Sequence, residues 1–436
     1  MIDFILYANT RIKRSSLNPL QIETSSNITA KHSLTSLLSI SVLLGLFAFG
    51  QTNLAFAGER EQAKRMHDRI AGVPPSATVL DDMAADILAG NASDAAYTAM
   101  EHTGFYDVTL KNLAAPWTNE AMSSFVPLND YTATIIGLVR DDADFRTILY
   151  GDVLYEADPS LNLSNDYSPT NNNHYEELEE TGLSLKDSLS LTTQSSKNIL
   201  PSSATAGVMT TRAAAKSFFK DGTNRAMFRF TALNHLCNDM EQLNDISRTP
   251  DRIRQDVSRS PGGDSRIFLN SCIGCHSGMD PLAQSFAYYE YDYDVETDPD
   301  GENGSISYNT SGITDPVTGT RVQSKYHNNA TNFEYGYVTP NDHWDNYWRE
   351  GQNKVLGWDN TLSGSGEGAK SMGQELAHST AFAECQVTKV FKNVCLRSPV
   401  DSTDRSEISN MVTSFANSNY NLKQVFADSA VYCMGE

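Results

Sequence analysis

The segment Cys272-Ile273-Gly274-Cys275-His276 constrains this chain more than any other stretch. Two thiols and an imidazole in C-x-x-C-H order form the pattern by which a polypeptide attaches haem covalently. The thiols can add across the two vinyl groups of one protoporphyrin, and the adjacent imidazole then lies against the iron as its proximal ligand. A zinc site would need a second Cys/His pair at matching spacing, and the sequence has none. The expectation is one covalent haem c on Cys272, Cys275 and His276, provided the chain reaches an oxidising compartment.

The N-terminus supplies that condition. Residues 1–37 carry Arg11, Lys13, Arg14 and Lys31, and an apolar run follows from Leu38 to Gly50. Leu54-Ala55-Phe56-Ala57-Gly58 then reads as a small-x-small cleavage site. This layout predicts a secretory signal peptide over residues 1–57, a mature start at Gly58, and a periplasmic or secreted protein. The competing reading is an uncleaved anchor helix, for which the apolar run is short. No later stretch is long and apolar enough to cross a bilayer, so no stable membrane insertion is expected.

The whole chain carries a formal charge of −21; its first 57 residues hold four basic and two acidic side chains, so the remainder carries −23. That balance argues against nucleic acid or anionic lipid as a partner. It favours a basic redox partner met by fast, salt-sensitive encounter, although solubility alone also accounts for it. After the haem thiols, Cys237, Cys385, Cys395 and Cys433 remain, an even number that predicts two disulfides with three possible connectivities. Cys385 and Cys395 fall on one expected helix, too far apart to bridge each other. The preferred pairing is Cys395–Cys433, closing a C-terminal helical hairpin, with Cys237–Cys385 tying that hairpin to the haem segment.

The expected fold class is mostly α: a helical N-terminal region and a helical c-type haem domain with long irregular loops. Apolar spacing predicts helices over Arg60–Ala71, Thr78–Leu88 and Asn129–Val139 within a domain spanning 58–160. Residues 161–204 are rich in Asn, Ser, Thr and Asp and read as a polar linker or surface excursion. The haem domain would occupy 205–436. There a helix is expected through Arg225–Leu243, loops with short strands over 291–342, and helices over Gln374–Phe391, Asp404–Ala416 and Leu422–Val431.

Met279 follows His276 by three residues on the proximal side, so it reads as structural, and Asp280-Pro281 reads as the cap and start of a following helix. A sixth iron ligand must come from elsewhere. Met372, in a glycine-rich stretch, is the candidate; His235, His327, His343 and His378 are rivals, and an open sixth position is the third case. The aromatic runs Phe286–Tyr293 and His343–Trp348 read first as packing and second as pocket wall or docking surface. Glu296-Thr297-Asp298-Pro299-Asp300-Gly301 has the alternating oxygens of a calcium loop, but Ser307 stands where the bidentate glutamate belongs, which favours a plain acidic turn.

The run Cys272 to Leu282, Cys-Ile-Gly-Cys-His-Ser-Gly-Met-Asp-Pro-Leu, leading into Tyr288-Tyr289-Glu290, resembles the haem segment of the planctomycete-type cytochrome c proteins. Ala206 to Arg212 is similar to the block before their haem domain, and Phe382 to Arg397 to the helical block after it. The resemblance covers residues 205–436 and implies thioether attachment at Cys272 and Cys275 and proximal ligation by His276. Departures are Ala283, where the family usually has Gly, and Tyr289-Glu290, near which it usually has Phe-Asp. The family's reactions are largely uncharacterised, so the resemblance implies haem and helix more than an activity.

The leading functional expectation is an exported single-haem carrier of electrons, with His276 and Met372 on the iron. A haem enzyme with an open distal site is the second, though no distal His/Arg signature accompanies it. A structural or interaction protein carrying haem is the third.

Overall fold

Helix α1 (Glu59–Ala71) forms where Ala63, Met66, His67, Ile70 and Ala71 recur at helical spacing and bury one stripe; Gly72, at φ 72°, ends it. Helix α2 (Ala77–Leu88) starts at Ser76, whose hydroxyl accepts the Val79 N–H. Helix α3 (Ala92–Met100) completes a mutually packed trio. The computed structural model describes residues 58–197, 199–327 and 332–435; the expected leader, residues 1–57, lies outside them.

Helix α4 (Asp130–Arg140) is capped by Asn129 and buried along nearly its whole length. It is covered by an antiparallel pair, β1 (Leu154–Ala157) and β2 (Leu189–Thr192), with Leu154 opposite Thr192. The approach is close: a Cβ on Gly137 would fall 2.1 Å from the Tyr155 ring. The polar stretch 161–204 carries helix α5 (Asn173–Glu180) and strand β2. Tyr175, Leu178, Leu185, Leu189 and Leu200 bury it in the core, and polar contacts fix it further. His174 Nε2 accepts the Ala157 N–H at 2.9 Å, and the Tyr175 hydroxyl donates to the Tyr155 carbonyl at 2.7 Å.

Helices α6 (Arg212–Phe218), α7 (Asn224–His235) and α8 (Ile273–Ala283) lead to the pairs β3 (Tyr289–Asp292) with β4 (Ser305–Tyr308) and β5 (His343–Asp345) with β6 (Ser365–Glu367). The chain ends in α9 (Gly368–Ala377), α10 (Thr380–Cys395), α11 (Ser402–Asn417) and α12 (Leu422–Cys433). The protein is mostly α; its strands form three two-stranded sheets among the described residues. No helix among those residues is long and apolar enough to cross a membrane.

Three helix expectations are corrected. α7 stops at His235 instead of running to Leu243, because Cys237 turns into the left-handed region at φ 54°. The single helix expected over Gln374–Phe391 is two, since Ser379 accepts the Phe382 N–H and restarts the chain as α10. Asp280 and Pro281 do not open a new helix; α8 runs through both.

One apolar core runs from Ala63 in α1 to Ala430 in α12 and includes α4, α7, α9 and α10. α12 packs on α1, α3, α10 and α11, and Arg69 of α1 donates to the Cys433 carbonyl at 2.8 Å, placing positive charge at the C-terminal end of α12. Cys237 pairs with Cys385 and Cys395 with Cys433, at Cα separations of 5.2 and 5.4 Å. This is the preferred one of the three connectivities, and Cys385 and Cys395 do share α10.

Candidate cofactor site

Helix period decides what α8 shows to solvent. Gly274 and Gly278 lie one turn apart on the packed face. A Cβ on Gly274 would meet Asn244 Oδ1 at 1.6 Å, and one on Gly278 would meet Trp348 Nε1 at 1.9 Å. Only glycine permits that approach. With this face against the loop after α7 and against Trp348, Cys272 and His276 turn away from it, and Cys275 lies at its border, against that loop. Cys272, Cys275 and His276 are accordingly all half-exposed.

The loop that receives α8 is tied to it by directional contacts. The Asp245 N–H donates to the Gly274 carbonyl at 3.1 Å, and the Cys275 thiol lies 3.2 Å from the Met240 carbonyl. Burial pushes the Cys275 thiol up, with the neighbouring Cys272 adding to the effect. Large apolar side chains stand in solvent beside the motif. Ile246, whose Cγ2 lies 3.1 Å from the position of a Gly274 Cβ, is 72 % exposed, and Leu269, in the helical turn leading into α8, is 56 % exposed.

Behind His276 stands a chain of buried charges. His276 Nδ1 is 3.0 Å from Asp280 Oδ1, one helical turn on. Asp280 accepts two bonds from the Arg225 guanidinium, at 2.8 and 2.9 Å. Arg225 also forks onto Asp256 at 2.9 and 3.0 Å, and Arg254 joins Asp256 to Asn224. Burial by itself would raise the Asp280 carboxyl; Arg225 and His276 beside it hold it far below the ordinary aspartate range. With Nδ1 so engaged, Nε2 of His276 has no hydrogen bond among the described residues and is the nitrogen left for a ligand role. A carboxylate behind a ligating imidazole fixes its tautomer and ring orientation.

The residues present fit a c-type haem in kind and spacing: two part-buried thiols and an imidazole within five residues of one helical segment, with Nδ1 anchored and Nε2 without a hydrogen bond. The other candidates stand elsewhere. Met372 is fully buried in α9, which packs on the 145–149 turn, the 284–286 turn and β5. Its sulfur has no open side for a porphyrin, so the structure does not present it with His276. His235 is buried, with Nε2 2.8 Å from the Tyr131 hydroxyl, and burial lowers its pKa well below the usual value. His378 Nδ1 turns back onto the Gln374 carbonyl, and His343 lies 3.5 Å from Asp345. His327 has a buried Nε2 without a partner and sits in the Ser324–His327 turn, on another element from the motif.

Both aromatic runs are packing. Phe286, Tyr289, Trp344 and Trp348 are buried, and the Tyr289 and Tyr291 hydroxyls donate to the carbonyls of Ala204 and Gly301, each at 2.6 Å. In the acidic turn, Asp298 accepts the Glu302 and Asn303 N–H groups, and Asp294 accepts that of Glu296. Those carboxylates close the turn.

Sequence reasoning did not find the Asp280–Arg225–Asp256–Arg254 chain. The i, i+4 spacing of His276 and Asp280 is a signal that could have found its first member, but Asp280-Pro281 reads as a helix start; Arg225 lies 55 residues from Asp280 and carries no local signal. No family model, curated protein or solved structure matches this chain.

Proposed function

We propose that this protein is an exported cytochrome carrying one haem c, joined through Cys272 and Cys275 and ligated by His276, and that it transfers electrons in the periplasm or outside the cell. The observation that carries the reading is the proximity of part-buried Cys272, Cys275 and His276 on one helical segment, with Nδ1 held by Asp280 and Nε2 free of hydrogen bonds. A bound haem would supply one-electron chemistry at the iron. The chain's own part is to orient the imidazole and to hold the porphyrin edge by two thioethers. The acidic surface suits a basic redox partner. Kinship with the planctomycete-type cytochrome c proteins remains part of this proposal, resting on the motif residues.

One observation favours a second reading, a haem enzyme with an open distal site: Met372 is enclosed in the core. Optical spectra separate the two readings. The protein would be made in a host with c-type maturation machinery and recorded oxidised, reduced, and reduced under carbon monoxide. A sharp reduced α-band unmoved by carbon monoxide supports the carrier; a band that shifts supports the open site. Absence of any haem band overturns both.

A further inference from the structure

Asp280 has no role in attachment, yet it is the residue most tightly built into the motif. It is 5 % exposed, lies 3.0 Å from His276 Nδ1, and takes both of its other bonds from one guanidinium. A neutral carbonyl would orient the imidazole equally well. A carboxylate does more, because its charge draws the Nδ1 proton and increases the electron-donating power of Nε2. Arg225 works against this, since its two bonds draw the same charge away from the imidazole. Arg225 is in turn shared with Asp256, at 2.9 and 3.0 Å, so Asp280 does not have the guanidinium to itself.

Resting on the haem reading above, we infer that Asp280 is a positioning residue that sets the donor strength of His276 and stabilises the oxidised iron, and that Arg225 limits this effect. The haem then titrates at a lower potential than it would with a neutral partner behind His276. This makes the protein a reducing member of its exchange, one that gives electrons readily to an acceptor and is reduced only by a stronger donor.

The test uses the haem-loaded full chain and compares the midpoint potential with the iron–imidazole stretching frequency of the reduced protein after photolysis of bound carbon monoxide or, where the distal position is closed, with the hyperfine shifts of the His276 ring in the ferric state. Asp280→Asn is expected to raise the potential and weaken the iron–imidazole bond. Arg225→Lys, which gives up the two-pronged grip but keeps the charge, is expected to move both readings the other way. Asp280→Glu retains the carboxylate and is expected to stay near the wild type, so it keeps the proposal testable if the asparagine variant does not fold. Haem-loaded variants whose bond signature equals the wild type, even with a shifted potential, overturn the inference, because charge at a distance then suffices. So do shifts of one sign in Asp280→Asn and Arg225→Lys. A wild type without haem overturns the underlying reading instead, and the two failures are thereby distinct.

Discussion

The block formed by α1–α3 with α10–α12 and the region around α8 are held together by different physics. In the block, buried Met66, Ile70, Phe382, Phe391, Val425 and Phe426 meet across helix faces, and Ser76, Ser379, Asp401 and Asn421 cap the starts. A disulfide joins the ends of α10 and α12. Around α8, residues 236–264 contain no helix beyond a single turn at Pro261–Gly263, and directional contacts join the apolar burial of Met240, Leu243, Met279 and Leu282. The directional contacts comprise the Arg225 and Arg254 forks, and Arg259, which lies between the Phe268 and Phe333 rings with its guanidinium 4.6 and 4.4 Å from their centroids. Apolar burial is tolerant of small rearrangements, whereas a fork onto a carboxylate is not. The first kind of holding gives stability; the second fixes the angle of one imidazole.

This contrast can be broken most directly at Arg225. Arg225→Met leaves the buried Asp280 without its guanidinium, while Asp256 keeps Arg254, and should cost about 3–5 kcal/mol, read by denaturant unfolding. A cost below about 1 kcal/mol would show that the region does not depend on its ion pairs. On the other side, replacing Cys395 and Cys433 together by Ala opens a closed loop spanning 38 residues. The chain-entropy relation puts that loss at about 3–4 kcal/mol. It should lower the unfolding midpoint while leaving the environment of His276 unchanged by NMR.

Gly278→Ala sharpens the contrast within α8, since the new methyl would fall 1.9 Å from Trp348 Nε1. The expected loss is about 1–3 kcal/mol, with a change in tryptophan fluorescence as Trp348 moves. A silent variant would mean that the packed face of α8 is not what turns the motif outward.

Acid should weaken the apolar core through His235. Its folded-state pKa is depressed by burial, with Lys389 nearby adding to the shift. The unfolded chain therefore takes up a proton that the native state refuses. Stability is fully present above the ordinary histidine value of about 6.5 and falls below it, by up to about 1.4 kcal/mol per pH unit. Unfolding curves from pH 7 to 5 should show this slope, and His235→Gln should flatten it. The smallest effect expected is at a cap: Asp401→Ala removes the acceptor of the Asp404 N–H, 2.9 Å away, and should cost about 1 kcal/mol.

How much of this was legible follows the range of each interaction. α1, α2, α4, α11 and α12 lie within a residue or two of their expected bounds, because periodic apolar residues and caps are local signals. The end of α7 was not legible, because Cys237 adopts positive φ where its disulfide to Cys385 takes it across to α10. The break before α10 was half-legible: Ser379 is a good cap, but the apolar spacing runs on through it. Residues 161–204 show weak periodicity because their buried residues, Tyr175, Leu178, Leu185, Leu189 and Leu200, are spread over short elements and joined by polar contacts such as those of His174 and Gln194.

At the site, the sequence by itself determined the two thiols and the imidazole, since they lie within five residues of chain; that Asp280 shares their helix, one turn from His276, was not read, because Asp280-Pro281 has the chemistry of a helix start. It also narrowed the disulfides to three connectivities and preferred the pairing that occurs. Only the tertiary structure decided that Met372 is enclosed in the core, that Gly274 and Gly278 turn the motif outward, and that Arg225 and Asp256 stand behind Asp280. The physical reason is reach. Helix period and capping act over a few residues, while a buried carboxylate takes its cation from whichever helix the core brings alongside.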